Sequence, residues 1–370
     1  MNPIELAIQL AGLIRQSPGI VSANATGGYV NVKFDDASLV ELLGSCGLPV
    51  CHFYEVQPVA VVDYFGANVG KPLHIGHLCA PSIGQAIINA FRHKGYRVIG
   101  DMHQGDWGSL FGKLAIGYRR FGSAEALEAD ATEHLFEVYV KLTAAEASDP
   151  SIAEEYREAF QKLSRGDPEM VALWLSFTQK TIHTALELGK RLLVFPDVMI
   201  GEAFYEGIGL PTLGNYPELR TSMSEVVAEL IQLGIATENE DGSVGVIFDE
   251  STKIPSCMLA KRDGTHGYLA SDLACVKYRI TNGWNPEHIV YCMDVRQELH
   301  VRQIFEVARL WIERSEWGKS IAIVPQCFLA KNGFLKLKDG AMSTRKGNII
   351  RLGALMDEGI SRVDALLKEK

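Results

Sequence analysis

The chain has 370 residues, of which 47% are hydrophobic and 22% are charged, and its formal net charge is −9. This length predicts two or three domains and a sizeable core, while the acidic balance disfavours a protein that coats itself with nucleic acid. No apolar run reaches the roughly 18 residues of a membrane span. Seven scattered cysteines without a CxxC pair, and no basic leader ahead of the first apolar stretch, predict a cytoplasmic protein with reduced thiols.

The N-terminal residues 1–52 predict a small α/β unit. Its pattern gives a helix over residues 4–16, a strand in the alternating GGYVNVKF (27–34), and a second helix in ASLVELLGSCG.

A βαβ unit follows. The short apolar run PVAVVDY (58–64) is typical of a buried parallel strand, and the loop FGANVGKPLHIG leads from it into a helix over about 76–94. A second such strand lies in HKGYRVIGDM (93–102). This order predicts an α/β fold with a doubly wound, Rossmann-type parallel sheet.

Residues 109–192 are almost wholly helical in pattern and predict an insertion between two halves of the sheet. Strand-like runs return in residues 243–249, 288–294 and 320–326, with a helix over about 297–314 before the last of them. The predicted division of the chain is 1–52, 53–112 (first half of the sheet domain), 113–192 (helical insertion), 193–340 (second half) and 341–370 (a loop and C-terminal helices).

The stretch KPLHIGH (71–77) is the first candidate site. A helix that starts after a parallel strand binds anions through its free N–H groups, and Gly76 leaves room for a ligand to approach the backbone. His74 and His77 then act as donors to phosphate oxygens, with Lys71 adding a charge. The alternative is that the two histidines merely cap and pack a helix start, and this stretch alone does not decide between them.

A second candidate is GAMSTRKGN (340–348). Arg345 and Lys346 suit a mobile loop that closes a cation over a triphosphate, although a basic surface turn explains the same residues when they are taken alone.

The two stretches together resemble the HIGH and KMSKS signatures of class I aminoacyl-tRNA synthetases, and further blocks resemble the arginyl-tRNA synthetase family. The resemblance covers about residues 5–370 and rests on these segments in order: VVDYFGANVGKPLHIGH, HQGDWGSLFGKL, DVMIGEAFYE, DGTHGYLASDLACVKYR and DVRQELHVRQ.

The resemblance implies an enzyme that uses ATP, with Mg²⁺ held mainly by the nucleotide, to join arginine to AMP with release of pyrophosphate, and then transfers the arginyl group to tRNA. The implied ATP-binding positions are His74, Gly76, His77, Met342, Ser343, Arg345 and Lys346, with Lys71, His74, His77 and Lys346 as the catalytic ones. The implied arginine-binding positions are Asn68, Glu202, Tyr268, Asp272 and Gln297, whose carboxylates and planar groups suit a guanidinium. No protein-bound metal is expected.

Departures from the family pattern limit these expectations. Ala341 stands where the first lysine of KMSKS is usual, and Thr344 stands where the second is, which leaves Lys71 as the expected main cation. After HIGH, Cys79 and Ala80 replace the usual Arg-Ser. The family's helical anticodon-binding domain is not expected, so the chain is either a natural short paralog, which we favour, or a fragment of a longer protein.

Three functions remain open at this point. The favoured one is arginine activation by a monomer, with tRNA or a small amine or hydroxyl compound as acceptor. The second is a non-catalytic arginine- or nucleotide-binding relic with a regulatory role, which Ala341 supports. The third is a general nucleotidylyltransferase, which shares the HxGH loop but predicts no guanidinium pocket and therefore no role for Glu202 or Asp272.

Overall fold

The structure, a computed structural model, describes residues 2–45, 56–214, 216–333 and 349–369. The chain divides into two compact units, Met1–Phe53 and Tyr54–Lys370. No helix in the described parts of the chain is long and apolar enough to cross a membrane.

The described helices and strands follow in chain order. The helices are α1 (Pro3–Ile14), α2 (Asp36–Ser45), α3 (Cys79–His93), α4 (Ser109–Phe121), α5 (Ala124–Ala129), α6 (Ala131–Ser148), α7 (Ile152–Ser164), α8 (Pro168–Arg191), α9 (Glu202–Tyr205), α10 (Met223–Gln232), α11 (Tyr268–Thr281), α12 (Glu298–Arg314), α13 (Glu316–Ser320) and α14 (Leu352–Lys368). The strands are β1 (Ile20–Thr26), β2 (Tyr29–Phe34), β3 (Val59–Asp63), β4 (Arg97–Asp101), β5 (Thr237–Glu238), β6 (Val244–Val246), β7 (Cys257–Ala260), β8 (His288–Asp294) and β9 (Gln326–Asn332).

The N-terminal unit contains an antiparallel hairpin, β1–β2, with α1 and α2. The sequence predicted only one strand here, over 27–34. The structure places Gly27 in the turn instead, with a left-handed φ of 59°, which glycine adopts without steric cost. The strand therefore begins at Tyr29, and β1 precedes the turn.

The second unit is built on a parallel four-stranded sheet in the order β4-β3-β8-β9. Alternate residues of its strands face two different hydrophobic clusters. Val61 and Ile289 pack in a cluster with α11 and α12, whereas Val62 and Val290 pack in a cluster with α3. A parallel sheet covered on both faces is the arrangement that the continuous apolar runs predicted, and the α/β fold class is confirmed.

Two strand predictions were wrong. The run over 320–326 is not a strand, because Ser320 ends α13 and Pro325 has no N–H for a ladder; β9 starts immediately after it. The run over 243–249 supplies β6, but this strand pairs antiparallel in a separate small sheet, β5-β6-β7, and not in the parallel one.

The helices α4 to α8 follow β4 and pack around a hydrophobic cluster of their own, which includes Leu114, Leu135 and Phe177. Because β3 has β4 on one side and β8 on the other, the chain direction across the sheet reverses at β3–β8. In open α/β sheets, ligands bind at such a point, beyond the carboxyl ends of the strands.

Candidate functional site

The loops that follow β3 and β4 meet beyond the carboxyl edge of the parallel sheet. Asn68 forms a bridge with Gly105, and a Cβ at Gly105 would lie 2.3 Å from Asn68 Oδ1. Asp106 Oδ1 accepts a hydrogen bond of 2.8 Å from the N–H of Ala203, so the segment around α9 joins the same edge. Three stretches that are distant in sequence therefore share one location.

A buried ion-pair cluster forms the floor of this edge. The fully buried Arg279 of α11 donates to Asp63 Oδ2 at 2.7 Å, to Asp101 Oδ2 at 2.7 Å and to the Tyr291 hydroxyl at 2.9 Å. Asp63 and Asp101 end β3 and β4. Removing one partner of such a cluster costs about 3–5 kcal/mol, because it leaves a buried charge without its counter-ion. The cluster fixes the strand ends from which the site loops start.

The HIGH loop forms a 3-10 turn over Ile75–His77 that leads into α3. His74 Nδ1 accepts a hydrogen bond of 3.0 Å from the N–H of Gly76, and His77 Nδ1 accepts one of 3.1 Å from the N–H of His74. The two rings lie 4.1 Å apart between centroids. A Cβ at Gly76 would lie 2.7 Å from His74 Cε1, so glycine is required for the ring to fold over the backbone.

These bonds determine which nitrogen of each ring carries the proton. An Nδ1 that accepts from a backbone N–H has none, so the proton of a neutral ring is on Nε2 and can be donated outward. Burial lowers the pKa of His77 to about 3, with His74 and Lys71 acting in the same direction, and burial and Arg296 lower the pKa of His74. Both side chains are therefore neutral donors at neutral pH.

Lys71 lines a cavity of about 480 Å³ beside this loop. Its Nζ lies 5.5 Å from the ring centroid of Tyr139 on α6. Further lining residues come from the start of α6, from α8 and from the start of α14, among them Glu133 and Arg351. The structure thus places Lys71 where the HIGH loop meets the helices that follow β4.

The segment after residue 348 pairs with the HIGH loop. The N–H of Ile75 donates to the carbonyl of Ile350 at 3.0 Å, and the N–H of Leu352 donates to the carbonyl of Leu73 at 2.9 Å. The predicted KMSKS-like positions Met342, Ser343, Arg345 and Lys346, together with Ala341 and Thr344, lie outside the described residues. Ile350, two residues past that stretch, contacts the HIGH loop directly.

A second part of the site, formed by α9 and α11, contains acidic side chains. Glu202 at the start of α9 and Tyr268 at the start of α11 line a cavity of about 340 Å³. Burial raises the pKa of Glu202 to about 8; His103 opposes this shift, and Asp272 and Asp106 add to it. Burial also raises the pKa of Asp106 to about 6. A partly buried carboxyl group among other carboxyl groups is an environment that favours a cationic ligand.

Asp272 lies one turn after Tyr268 on α11, as their spacing of four predicted. His300 Nε2 on α12 is 2.6 Å from Asp272 Oδ2. Gln297 precedes α12 by one residue and, like Asn68, is exposed. The predicted arginine positions therefore lie on loops and helix starts around the same edge of the sheet.

Sequence reasoning did not single out His103 or Arg279. His103 follows β4 in the loop, and its Nε2 is 3.8 Å from Asp272 Oδ1. An isolated histidine in a loop and an arginine inside a helix carry no spacing signal, so only the fold reveals that both contact the carboxylates of the site.

Comparison with known proteins identifies the family of this chain. Residues 54–370 match the family model of class I tRNA synthetases (R), catalytic domain. The arginine–tRNA ligase of Fusobacterium nucleatum is 32% identical over 371 residues, which is 100% of this chain and 61% of that protein. That of Chloroflexus aggregans is 31% identical over 380 residues, with the same coverage of 100% and 61%. The chain thus spans about 61% of the length of these curated relatives.

Two solved structures share the fold. The arginyl-tRNA synthetase of Plasmodium falciparum superposes with a TM-score of 0.64 at 20% identity, over 98% of this chain and 58% of that one. That of Thermus thermophilus superposes with a TM-score of 0.63 at 19% identity, over 100% and 63%. With the family model and the curated relatives, these findings show that the chain belongs to the class I arginyl-tRNA synthetase family.

Proposed function

We propose that this chain activates L-arginine with ATP, forming arginyl adenylate and pyrophosphate, and then transfers the arginyl group to an acceptor. The observation that carries the proposal is the pairing of two sites at one sheet edge: a loop with two neutral histidine donors, and a group of neighbouring carboxyl side chains, Glu202, Asp106 and Asp272, of which Glu202 lines a cavity.

In the proposed reaction an oxygen of the arginine carboxylate attacks the α-phosphorus of ATP. A new C–O–P linkage forms, and the bond to the β,γ-diphosphate breaks. His74 and His77 donate through Nε2 to phosphate oxygens, and Lys71 neutralises charge that builds up on the leaving group. The guanidinium binds Glu202 and Asp272 with Tyr268 beside them, so that catalysis consists of positioning and charge stabilisation without a covalent enzyme intermediate.

Magnesium enters this scheme only with the nucleotide. Within the described ranges, no three side chains of metal-ligand type come together as a binding group. The side chains present there do not fit a protein-held cation, whereas Mg²⁺ commonly binds through phosphates and water. We therefore take Mg-ATP as the substrate and derive no step through a resident metal.

For the acceptor we propose tRNA, the acceptor in the names of the relatives. A small amine or hydroxyl compound is the second possibility, because Cys79 and Ala80 follow HIGH where the family usually has Arg-Ser. In either case the acceptor hydroxyl or amine attacks the arginyl carbonyl, and AMP leaves.

Pyrophosphate exchange into ATP tests the activation step. We expect exchange that depends on arginine, measured with and without tRNA and with candidate amines. Citrulline is the matched control substrate, since it replaces the guanidinium by an uncharged urea group and should support no exchange. Exchange without tRNA would favour a small-molecule acceptor.

The non-catalytic alternative is favoured by Ala341, which stands where the family signature has a lysine. It predicts tight arginine binding with no exchange under any condition. That result would overturn activation, whereas exchange that responds equally to arginine and citrulline would overturn the arginine pocket.

A further inference from the structure

Asp272 is contacted by two histidines that belong to different elements. His300 of α12 approaches Oδ2 at 2.6 Å, and His103 of the loop after β4 lies 3.8 Å from Oδ1. The Asp272 carboxylate, on which the proposed arginine pocket depends, thus has one histidine at hydrogen-bond distance and a second at ion-pair distance. The two histidines differ in burial, because the side chain of His103 is 10% exposed and that of His300 is 29% exposed.

The His103 ring is oriented by the backbone. Nδ1 lies 3.0 Å from the carbonyl oxygen of Ile200, so Nδ1 carries a proton and donates it. Nε2 is fully buried and has no hydrogen-bond partner among the described residues. A neutral ring would leave a buried lone pair 3.8 Å from a carboxylate oxygen, which is unfavourable, whereas an imidazolium would place an N–H there.

Charged and titratable groups surround this ring on several elements. They are Asp63 and Asp101 at the strand ends, Asp106 in the loop, Glu202 and Tyr205 of α9, and Asp272, Cys275 and Arg279 of α11. Arg279 is already engaged by Asp63 and Asp101. Burial lowers the pKa of His103, but Cys275, Asp63 and Asp272 outweigh it and leave that pKa well above its ordinary value.

We propose that His103 is a positioning residue whose imidazolium lies against Asp272 as the resident cation of the pocket, and that arginine replaces it by expelling its proton. The proposal rests on the proposed function, since it takes arginine as the ligand. The Nε2–H bond of His103 breaks, the proton passes to water, and the electron pair stays on Nε2. The neutral ring keeps its bond to Ile200 and can then accept from a guanidinium N–H.

Arginine binding then replaces the positive charge of the His103 imidazolium with that of the guanidinium. Without the exchange, guanidinium and imidazolium would repel each other in a buried site, which costs free energy. The exchange couples arginine affinity to pH: at a pH below the pKa of His103, each unit of increase strengthens arginine binding by up to about tenfold.

Calorimetry of arginine binding to the full chain, in two buffers of different ionisation enthalpy, counts the protons released. The variant is His103→Gln, whose amide N–H can still donate to the Ile200 carbonyl but cannot hold the extra proton. His93→Gln, at the exposed end of α3, is the matched control. Because Glu202 also releases a proton when it ionises, the expected result is a difference: His103→Gln releases about one proton fewer than the wild type or His93→Gln.

Nitrogen chemical shifts of the histidine rings in the wild-type protein give a second measurement that needs no variant. We expect His103 to be an imidazolium in the free protein at neutral pH and a neutral Nδ1–H ring when arginine saturates it. A neutral ring in the free protein, or an imidazolium that arginine leaves unchanged, would overturn the proposal.

The outcomes separate this inference from the proposed function. Arginine-dependent exchange with no difference in proton release between the wild type and His103→Gln would overturn only the role of His103. Proton release with His103 deprotonation but no exchange would overturn only arginine activation. Absence of arginine binding would overturn both.

Discussion

The HIGH loop and the carboxylate pocket lie at the same edge of the sheet, yet they handle charge in opposite ways. In the loop, backbone N–H groups occupy Nδ1 of His74 and His77, and burial keeps both rings neutral. In the pocket, Glu202, Asp106 and Asp272 accumulate near one another, and burial raises the pKa of Glu202 to about 8. The loop therefore presents neutral side chains that donate hydrogen bonds, whereas the pocket brings carboxyl groups together, so that burial and the neighbouring carboxylates keep Glu202 protonated at neutral pH.

The largest expected effect tests the role that we give to Glu202 in the carboxylate pocket. Glu202→Gln keeps the shape of the side chain and removes its charge, so the guanidinium loses a buried ionic partner. Such a loss costs roughly 2–5 kcal/mol, or about 30- to 5,000-fold in binding. Arginine titration by calorimetry measures it, and Glu206→Gln, whose carboxylate faces His266 at 3.4 Å, is the control. Equal arginine affinity in the two variants would contradict the assignment of Glu202.

Lys71→Ala tests the role that we give to the lysine beside the HIGH loop. Removing the cation that we place near the leaving diphosphate should lower the exchange rate by about 100-fold, with little change in arginine binding. Lys94→Ala, at the exposed end of α3, controls for loss of a positive charge near the same helix. An exchange rate near that of the wild type would show that another cation performs this role.

Gly76→Ala tests whether the hydrogen bond from the Gly76 N–H orients the His74 ring. The new Cβ would lie 2.7 Å from His74 Cε1 and 2.9 Å from Nδ1, so the ring must turn away and lose its bond from the Gly76 N–H. We expect about a tenfold loss in kcat/KM for ATP, the effect of one displaced donor. Gly359→Ala in α14, where a Cβ meets nothing within 4 Å, should leave kcat/KM unchanged. Normal ATP kinetics in Gly76→Ala would mean that the His74 cap is dispensable.

The smallest effect concerns pH and stability. The folded chain keeps a proton on Glu202 up to about pH 8, whereas the ordinary pKa is 4.5. Between these values the folded state binds more protons than the unfolded state, so the contribution of Glu202 to stability is greatest below pH 4.5 and is lost as pH rises to about 8. We expect the Tm of the wild type relative to Glu202→Gln to fall by roughly a few degrees from pH 5 to pH 8. A constant difference would contradict the raised pKa.

The parallel sheet was predictable because β3, β4 and β8 are short continuous apolar runs, and both faces of these strands are covered. The run over 320–326 has the same composition, but Val324 is 61% exposed, and Pro325 delays the strand. β6 has only three residues, too few for alternation to reveal which sheet it joins. Composition predicts strands correctly where the whole strand is buried. It fails where a proline shifts the start of a strand, or where a strand is too short to show which sheet it joins.

The site was predictable only where spacing or resemblance carried information. Lys71, His74 and His77 are close in sequence, so their proximity follows from the loop itself. No local pattern pairs His300 with Asp272, yet the structure places His300 Nε2 2.6 Å from Asp272 Oδ2, 28 residues earlier in the chain. The contact of His103 with Asp272 crosses 169 residues and depends on the order of the strands, which no local pattern encodes.

The pairing of residues 350–352 with 73–75 uses only main-chain groups. Such bonds are indifferent to which side chains the two segments carry, so substitutions there leave the register of the pairing intact. The start of α14 can therefore keep its main-chain hydrogen bonds to the HIGH loop while the surrounding sequence diverges. This tolerance offers one physical reason why a chain with 19–20% identity to the two solved synthetases still superposes on them along nearly its whole length.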